Sequence, residues 1–424
     1  MAEPEVEVSE WQKLPSKLQL QFYELAGEEA REQADLLRGL KEKIEDLHGR
    51  LEGLFKPVPR GDWEGLRVAV VDGSSSPMPD TRLLGRYAVY CAGYHIYEGP
   101  ELVDEGDFVS GVIFRPNEEG GPTSRAIVGM LTTLAEREMA LDCARRDDID
   151  YVIVDGAFFG YIWRCIWLRE HPVEVEGIGS STKLVDMVVG KTLELLKTGK
   201  AIGIIKRVRL RAIDGWLMED NADYISGASN YEACLARLRE VVIGAIDKAI
   251  LSMIMPPGAW FSYRDLLVGR EAGAHHYYSR LAISYPERVA RTRAALDVME
   301  VLEQVRKHME DRLRRALGDK AASFLMSELE RHYLKASLEA PACCLEAPRG
   351  AKLEPMITYC ASFSNEDTGH PFPLDLVDDD VTLPRLFTRE FVQEVEARLL
   401  EQVKDLEAVR RLFAYLNPQK KWRA

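Results

Sequence analysis

Two acidic residues stand at the ends of two short apolar stretches, and each is followed at once by a glycine. Residues 66–76 read LRVAVVDGSSS, and residues 150–160 read DYVIVDGAFFG. A short apolar run that ends in turn-forming residues predicts a buried strand. Asp72 and Asp155 are therefore expected where two rigid strands meet solvent. Because Asp-Gly pairs are also common in ordinary turns, each motif alone is weak and the prediction depends on the pair.

A third acidic residue lies on the helix that we predict over residues 125–146. Its apolar positions recur at helical spacing, at Ile127, Leu131, Leu134 and Leu141. Glu138 falls on this stripe and Glu136 does not. A carboxylate on an apolar face is costly unless it is paired or bound to a metal. We therefore interpret Glu138 as the inward, functional acid, and the alternative is a glutamate at the edge of the stripe that pairs with a lysine or arginine.

Three such carboxylates have a definite chemistry if they converge. Hard oxygen ligands suit Mg²⁺ or Mn²⁺, and two ions about 3.5–4 Å apart can activate water and stabilise the leaving oxygen in phosphodiester hydrolysis. Close like charges also require a cation, since otherwise one carboxylate is driven toward protonation. The sequence contains no P-loop, dinucleotide glycine fingerprint, nucleophile elbow or HExxH motif.

The elements around these acids predict an α/β fold with a mixed sheet. Two further strands are expected at residues 86–97 and 108–114, and a helix is expected at 182–198. The stretch 201–211, AIGIIKRVRLR, predicts a strand with a basic end. By period two Lys206 lies on one face, and Arg207, Arg209 and Arg211 lie on the other. Lys206, Arg207 and Arg209 are candidate contacts to DNA phosphates, although arginines on a solvated strand remain the alternative.

The two ends of the chain are predicted to be helical. Leucines at helical spacing, from Leu36 to Leu54, indicate an amphipathic helix that serves in packing or dimerisation. We predict an N-terminal helical segment over residues 1–58 and one nuclease-like domain over 59–424. Within that domain the core is expected at residues 60–215 and 355–415, with a helical insertion at about 216–354. A last strand is expected at 355–363.

Composition limits the class of protein. The chain has 424 residues, a net charge of −14, 46% hydrophobic and 29% charged residues, as in soluble globular proteins. The negative charge argues against nucleic-acid binding through the overall field, but it leaves room for a local basic channel. No apolar run approaches the ~20 residues that span a bilayer, and the acidic start MAEPEVEVSEW lacks a signal core. The seven cysteines show no CxxC pair, so reduced thiols and a cytoplasmic location are expected.

The order of these motifs resembles that of the NurA nucleases over roughly residues 60–400. The shared features are the strand-DGS motif, two further strands, a helix with Glu138, the strand-VDG motif, the strand GIIK at 203–206, and HPFPLDLVDDD at 370–380. The resemblance implies a ribonuclease-H-like core with helical N-terminal and C-terminal additions. It further implies DNA cleavage with Mn²⁺ or Mg²⁺, and a homodimer that works with the hexameric HerA helicase, an ATPase, in DNA end resection.

The resemblance also assigns site residues. Asp72, Glu138 and Asp155 correspond to the acidic metal ligands of the family. The late motif of the family supplies a histidine or aromatic residue and a further histidine or acid, for which His370 and Asp378 are the best matches. This chain has His-Pro-Phe-Pro where the family pattern has Tyr-Pro, and Asp where some relatives have His. The fourth ligand therefore stays open among Asp378 and its competitors, which are Asp375, Asp379 and Asp380.

Two other functions fit parts of the pattern. One is a non-catalytic adaptor that keeps the fold and binds DNA or an ATPase, against which the presence of all three acids argues. The other is a transposase-like strand-transfer enzyme, which is less favoured because the chain shows no separate DNA-reading domain. The sequence therefore predicts a two-metal-ion deoxyribonuclease, an exonuclease and/or a single-strand endonuclease.

Overall fold

The computed structural model describes residues 10–116, 121–403 and 405–415. The chain divides into two compact units, Met1–Glu52 and Gly53–Ala424. The described part of the first unit is a 3₁₀ turn at Glu10–Lys13 and one long helix, α1, at Ser16–Leu51. The side chain of Leu36, the first leucine of the predicted stripe, lies outside the described part. The domain boundary at residue 58 stays a prediction.

The second unit combines a large sheet with many helices. Its strands are β1 Lys56–Pro57, β2 Arg67–Ser75, β3 Asp80–Thr81, β4 Gly85–Glu98, β5 Glu101–Asp104, β6 Phe108–Pro116, β7 Tyr151–Asp155, β8 Glu174–Val175, β9 Gly179–Ser180, β10 Ala201–Ile205, β11 Ala259–Ser262, β12 Leu329–Lys335 and β13 Cys343–Pro348. Its helices are α2 Gly121–Arg145, α3 Ile162–Glu170, α4 Ser181–Lys197, α5 Ala212–Asp220, α6 Ala222–Ser226, α7 Tyr231–Val241, α8 Asp247–Ile254, α9 Tyr263–Leu266, α10 Ala274–Thr292, α11 Val298–Leu317, α12 Asp319–Ser327, α13 Leu353–Ser362, α14 Phe372–Val381, α15 Phe387–Val403 and α16 Leu406–Leu412.

The centre of the sheet is parallel and its flanks are antiparallel. Strands β2, β7 and β10 run parallel side by side, while β4 pairs antiparallel with β2, and β6 pairs antiparallel with β4. The order β6-β4-β2-β7-β10 is the ribonuclease-H-like arrangement. On the far side β13, β12, β11 and β1 extend the sheet with antiparallel pairs. The predicted α/β class with a mixed central sheet is therefore confirmed.

Helices cover both faces of the central strands, which explains why those strands are almost purely apolar. Val68 and Val70 of β2 pack in one core cluster with residues of α13 and α14. On the opposite face, a Cβ atom built on Gly73 would lie 3.0 Å from Thr132 Cγ2 of α2. Asp72 and Asp155 therefore lie between α2 on one side and α14 on the other.

Several predicted elements differ from the structure. Residues 355–363 form α13 instead of a strand, because a short apolar run has the same pattern in a buried helix and a buried strand. The predicted strand 201–211 ends at Ile205, since its parallel neighbour β7 ends at Asp155 and offers no further pairing. The expected insertion at 216–354 contains β11, β12 and β13 as well as helices.

The strands β12 and β13 were hard to predict because they bury charged residues. Arg331 Nε of β12 donates a 2.7 Å hydrogen bond to Glu346 Oε1 of β13, and both side chains are buried. Charged residues paired within the sheet erase the apolar pattern that identifies a strand. Within the described residues, no helix combines the length and apolar character needed to cross a membrane.

Candidate active site

The parallel pairing of β2, β7 and β10 ends at one edge of the sheet, where Asp72, Asp155 and Lys206 lie. Side chains of a strand alternate between its two faces. The core cluster beneath α13 and α14 contains alternate residues of the three strands, namely Val68, Val70, Tyr151, Ile153, Ile202 and Ile204. The next residues on that face are Asp72, Asp155 and Lys206. The local strand pattern thus places two acids and one cation on the same face and at the same edge.

We define an acid cluster as Asp72, Glu136, Asp155 and Asp378, and Lys206 lies among three of its carboxylates. Its Nζ atom is 3.6 Å from Asp72 Oδ2, 3.6 Å from Asp155 Oδ1 and 3.1 Å from Asp378 Oδ2. Asp155 and Asp72 raise the pKa of Lys206 although burial opposes this. The lysine is therefore a fixed positive charge that holds carboxylates from β2, β7 and α14 together.

Asp378 reaches the cluster because α14 packs on the same face of the sheet. Leu374, Val377 and Val381 of this helix are buried in the core cluster with β2 and β7. The competing acids of the motif point elsewhere. Asp375 accepts hydrogen bonds from Asn365 Nδ2 and Thr368 Oγ1. Asp380 pairs with His95 Nε2 at 3.1 Å, and Asp379 is exposed.

Glu136, and not Glu138, faces the acid cluster. A Cβ atom built on Gly73 would lie 2.8 Å from Glu136 Cγ and Oε1, so this glutamate lies directly over β2 beside Asp72. The side chain of Glu136 is 12% exposed. The side chain of Glu138 is 46% exposed, and its Oε1 lies 4.0 Å from Lys191 Nζ on α4. The predicted inward position of Glu138 was wrong, and its alternative, a glutamate paired at the edge, is what the structure shows.

The prediction that Glu138 faces inward was wrong because α2 is buried on more than one side. The helix packs against the sheet and also against α3 and α4. Met139 and Ala140 lie off the leucine stripe, yet both are buried, as are Leu134 and Leu141 on it. An apolar stripe marks the inward direction only for a helix with one solvated side. Weighing every apolar residue of the helix, and not only its leucines, would have shown this in the sequence.

Burial makes the acid cluster electrostatically unfavourable as four free carboxylates. Burial, Asp155 and Glu136 raise the pKa of Asp72 above its usual range, and burial is also the main cause of the raised pKa of Asp155. Burial raises the pKa of Glu136 to about 7, although Arg137 and Arg164 oppose this. No pattern in the sequence indicated that these two arginines lie near Glu136. A bound cation would relieve the repulsion.

His370 lies near the cluster but does not touch its carboxylates at hydrogen-bond distance. Its Nε2 atom is 3.5 Å from Lys248 Nζ, and this ammonium donates to the carbonyl oxygen of Lys206 at 3.1 Å. Burial, followed by Lys248 and Lys206, lowers the pKa of His370 to about 4. The imidazole is therefore neutral at physiological pH.

The basic residues predicted to contact DNA separate into two environments. Lys206 points into the acid cluster, as described above. Arg207 and Arg209 are exposed on the loop that follows β10. The sequence predicted that Arg207 and Arg209 would point away from Lys206, and this placement agrees with that prediction. However, β10 ends at Ile205, before all three residues.

The acid cluster fits a divalent cation. Asp72 Oδ2 and Asp155 Oδ1 are buried and have no hydrogen-bond partner. A buried carboxylate oxygen without a donor costs free energy that a hard cation removes. In the described part of the chain, no three ligating side chains enclose a cation as they stand. The Lys206 ammonium lies between the carboxylates instead, so a metal bound there would compete with it.

Comparison with known proteins identifies the family. The model of the NurA domain matches residues 66–409. The chain belongs to the NurA family. This confirms the resemblance that the sequence motifs indicated. No protein among the curated sequences matches this chain.

A solved NurA structure shares the fold at low sequence identity. The NurA nuclease from Sulfolobus solfataricus is 12% identical over 91% of this chain and 98% of its own, with a TM-score of 0.55. A second NurA structure is 11% identical over 89% of this chain and 99% of its own, with a TM-score of 0.47. A third NurA structure, bound to dAMP and manganese, is 14% identical over 93% of this chain and 99% of its own, with a TM-score of 0.42. The first of these supports the same NurA fold for this chain, and the two lower scores add nothing to that.

Proposed function

We propose that this NurA-family protein is a metal-dependent deoxyribonuclease that hydrolyses phosphodiester bonds. The observation that carries the proposal is the acid cluster, in which carboxylates from β2, β7, α2 and α14 meet at one edge of the sheet. Two of its buried oxygens, Asp72 Oδ2 and Asp155 Oδ1, have no donor at hydrogen-bond distance, and the Lys206 ammonium lies 3.6 Å from each. Membership of the NurA family supports the same chemistry.

Each residue of the site has a proposed role. Asp72, Asp155, Asp378 and Glu136 would hold Mn²⁺ or Mg²⁺, and one or two such ions supply activated water and a stabilised leaving oxygen. Glu136 takes the place that the family pattern suggested for Glu138. Lys206, released from the carboxylates, could donate to a phosphate oxygen. His370 is neutral and its Nδ1 atom is buried without a partner, so it can accept or donate one proton near the cluster.

The wider role follows from the family and is part of the proposal. We infer that the protein acts in DNA end resection and repair as an exonuclease and/or a single-strand endonuclease. Its proposed partner is a HerA-like hexameric helicase, an ATPase, and its proposed state is a homodimer in the cytoplasm. Exposed apolar side chains support an assembly. On α1, Leu20, Tyr23 and Leu25 are each more than half exposed.

Cleavage of end-labelled DNA tests the proposal. The full chain is incubated with Mn²⁺ or Mg²⁺, with and without chelator, and compared with Asp72→Asn and Asp155→Asn. We expect cleavage only with metal, and its loss in both variants while circular dichroism and DNA binding are retained. Ca²⁺ should bind but support little cleavage, since its looser coordination fits in-line hydrolysis poorly. Asp379→Asn, which neutralises an exposed acid beside Asp378, is the matched control and should stay active. Full activity in either site variant would contradict the assignment.

One observation favours the non-catalytic adaptor as a second candidate. The ammonium of Lys206 already lies within 3.6 Å of three carboxylates and supplies a positive charge where a metal would bind. An adaptor would bind DNA or the ATPase and leave labelled DNA intact at every concentration of Mn²⁺ or Mg²⁺. The same cleavage assay therefore separates the two functions.

A further inference from the structure

Helices α10 and α11 leave an open groove of about 460 Å³ between them. Its lining residues recur at helical spacing, so each helix contributes one face. From α10 these are Arg280, Ser284, Glu287, Arg288 and Arg291, and from α11 they are Val305, His308, Met309 and Arg312. We call this feature the arginine groove. The proposed nuclease site does not use any of its residues.

The arginine groove is strongly basic in an acidic chain. Four arginines and His308 face a single glutamate there, whereas the chain as a whole has a net charge of −14. Like charges held close together repel one another. Such a concentration of guanidinium groups therefore favours an anion in the groove.

The arginines of the groove are not neutralised by the protein. Among the ion pairs of the described residues, none involves Arg280, Arg291 or Arg312, and Arg288 donates to the neutral amide of Gln304 at 2.8 Å. The other side of α11 is different. Arg306 there pairs with Glu303 and Glu310, and further pairs join Arg314 to Glu310 and Lys307 to Glu303. Helix α11 thus pairs its cations with glutamates on one side, whereas Arg312 on its groove side has no such pair among the described residues.

A buried hydroxyl provides an independent sign of a ligand. Ser284 is only 5% exposed, and its Oγ atom is buried without a hydrogen-bond partner. Ser284 lines the groove between the arginines of α10. An unsatisfied buried hydroxyl costs free energy, and an oxygen of a ligand would satisfy it. Guanidinium groups together with a hydroxyl donor are a typical set for phosphate oxygens.

We propose that the arginine groove binds the sugar–phosphate backbone of a nucleic-acid strand. This rests on the proposed function, under which the strand is the DNA substrate held at a second place. Guanidinium forks bind phosphate and carboxylate groups alike, and the proposed DNA substrate makes a phosphate backbone the anion that we expect in the groove. Arg280 and Arg291 lie eleven positions apart on α10, about 16 Å along the helix. That length spans several consecutive phosphates of one strand.

Binding of fluorescent single-stranded DNA at several salt concentrations tests the groove. The probe is an oligothymidylate of about 30 nucleotides, and chelator prevents its cleavage. In the full chain, Arg291→Ala combined with Arg312→Ala should weaken binding. It should also reduce the slope of log K against log salt by about 1.4, since each lost phosphate contact on a single strand removes about 0.7. Lys307→Ala combined with Arg314→Ala removes the same charge from the compensated side of α11 and should change neither quantity.

The outcomes separate this proposal from the nuclease function. An unchanged salt slope in the groove variant, or a wild-type chain that does not bind the probe, would overturn the groove. Loss of binding to polyglutamate but not to DNA would also overturn it and assign the groove to an acidic protein. A wild-type chain that binds DNA but cleaves none with Mn²⁺ would refute the nuclease function, while the salt slope still decides on the groove.

Discussion

Lys206 is the residue on which the charge balance of the acid cluster depends. Its ammonium lies within 3.6 Å of three carboxylates, and its side chain is 21% exposed. Replacing it with methionine leaves those carboxylates uncompensated. Because Asp378 is about half exposed and partly screened by water, we expect a loss of roughly 1–3 kcal/mol without metal.

Thermal denaturation checks this expectation for Lys206→Met. In chelator the variant should melt below the wild-type chain, and Mn²⁺ should raise its melting temperature more than that of the wild type, since the cation no longer competes with the ammonium. Arg207→Met changes the exposed neighbouring cation and is the control. Equal melting temperatures and equal shifts with Mn²⁺ would show that Lys206 does not hold the cluster.

Glu136 and Glu138 provide the sharpest test of the site at the level of single residues. Glu136 lies over Gly73 beside Asp72, whereas Glu138 lies near Lys191. Glu136→Gln should therefore lose most of the DNA cleavage, by about 10²-fold or more if it holds a metal. Glu138→Gln, the matched change two residues away, should retain it. The opposite result would support the prediction from the leucine stripe that Glu138 is the functional acid.

The contact between α5 and α10 depends on a glycine. A Cβ atom on Gly215 would lie 2.2 Å from the carbonyl oxygen of Tyr278, which belongs to the backbone and cannot swing aside. Gly215→Ala should therefore separate the two helices and cost about 1–3 kcal/mol. Gly190→Ala in α4 meets nothing within 4 Å and should stabilise the protein by about 0.5–1 kcal/mol. Urea denaturation measures both, and a neutral Gly215→Ala would contradict the close packing.

Strand β12 introduces a pH dependence of stability through His332. Burial lowers the pKa of this histidine to about 4, below its value of about 6.5 in an unfolded chain. As the pH falls below 6.5 the unfolded state takes up the proton first. The stability that depends on His332 being neutral is therefore fully present above pH 6.5 and is lost progressively toward pH 4. Between pH 7.5 and pH 5 the loss from this one group is about 2 kcal/mol.

Urea denaturation of His332→Gln at those two pH values isolates the effect. The variant should lose about 2 kcal/mol less than the wild-type chain over this interval. His308→Gln, which removes an exposed histidine of α11, should behave like the wild type. Parallel losses in His332→Gln and the wild type would mean that His332 titrates normally in the folded protein.

The state of assembly is a property of the whole molecule. Besides α1, strands β5 and β6 expose apolar side chains, and Phe108 and Val112 are each about half exposed. Exposed apolar patches often mark interfaces, and a two-fold dimer buries the same patch on both subunits. We expect the purified chain to sediment as a dimer at micromolar concentration.

A version lacking residues 1–55 locates the interface. Loss of the dimer on deletion would assign it to the N-terminal helix, as the leucine pattern predicts. A dimer that survives deletion but is lost in Val112→Lys would assign it to β6 of the second unit. A full-length chain that stays monomeric would contradict the homodimer.

The sequence by itself determined the features that depend on neighbouring residues. An apolar run that leads to Asp-Gly is a local pattern, so both strands and the position of Asp155 at the end of β7 could be predicted. Asp72 instead lies inside β2, because antiparallel pairing with β4 continues that strand to Ser75. The alternation of a strand likewise placed Lys206 opposite Arg207. The order of these motifs sufficed to identify the NurA family and the α/β class, because the order of strands and helices along the chain is written in the sequence.

Only the tertiary structure decided which other groups lie beside Asp72 and Asp155. Glu136 replaced Glu138 because the direction of a helix that is buried on several sides depends on its neighbours and not on its own pattern. Asp378 was distinguished from the adjacent acids by the packing of α14 on the sheet. The strands β12 and β13 place Arg331 opposite Glu346, and this pair across the ladder allows the sheet to bury both charges. Each of these outcomes depends on contacts between residues far apart in the chain, which a one-dimensional pattern does not contain.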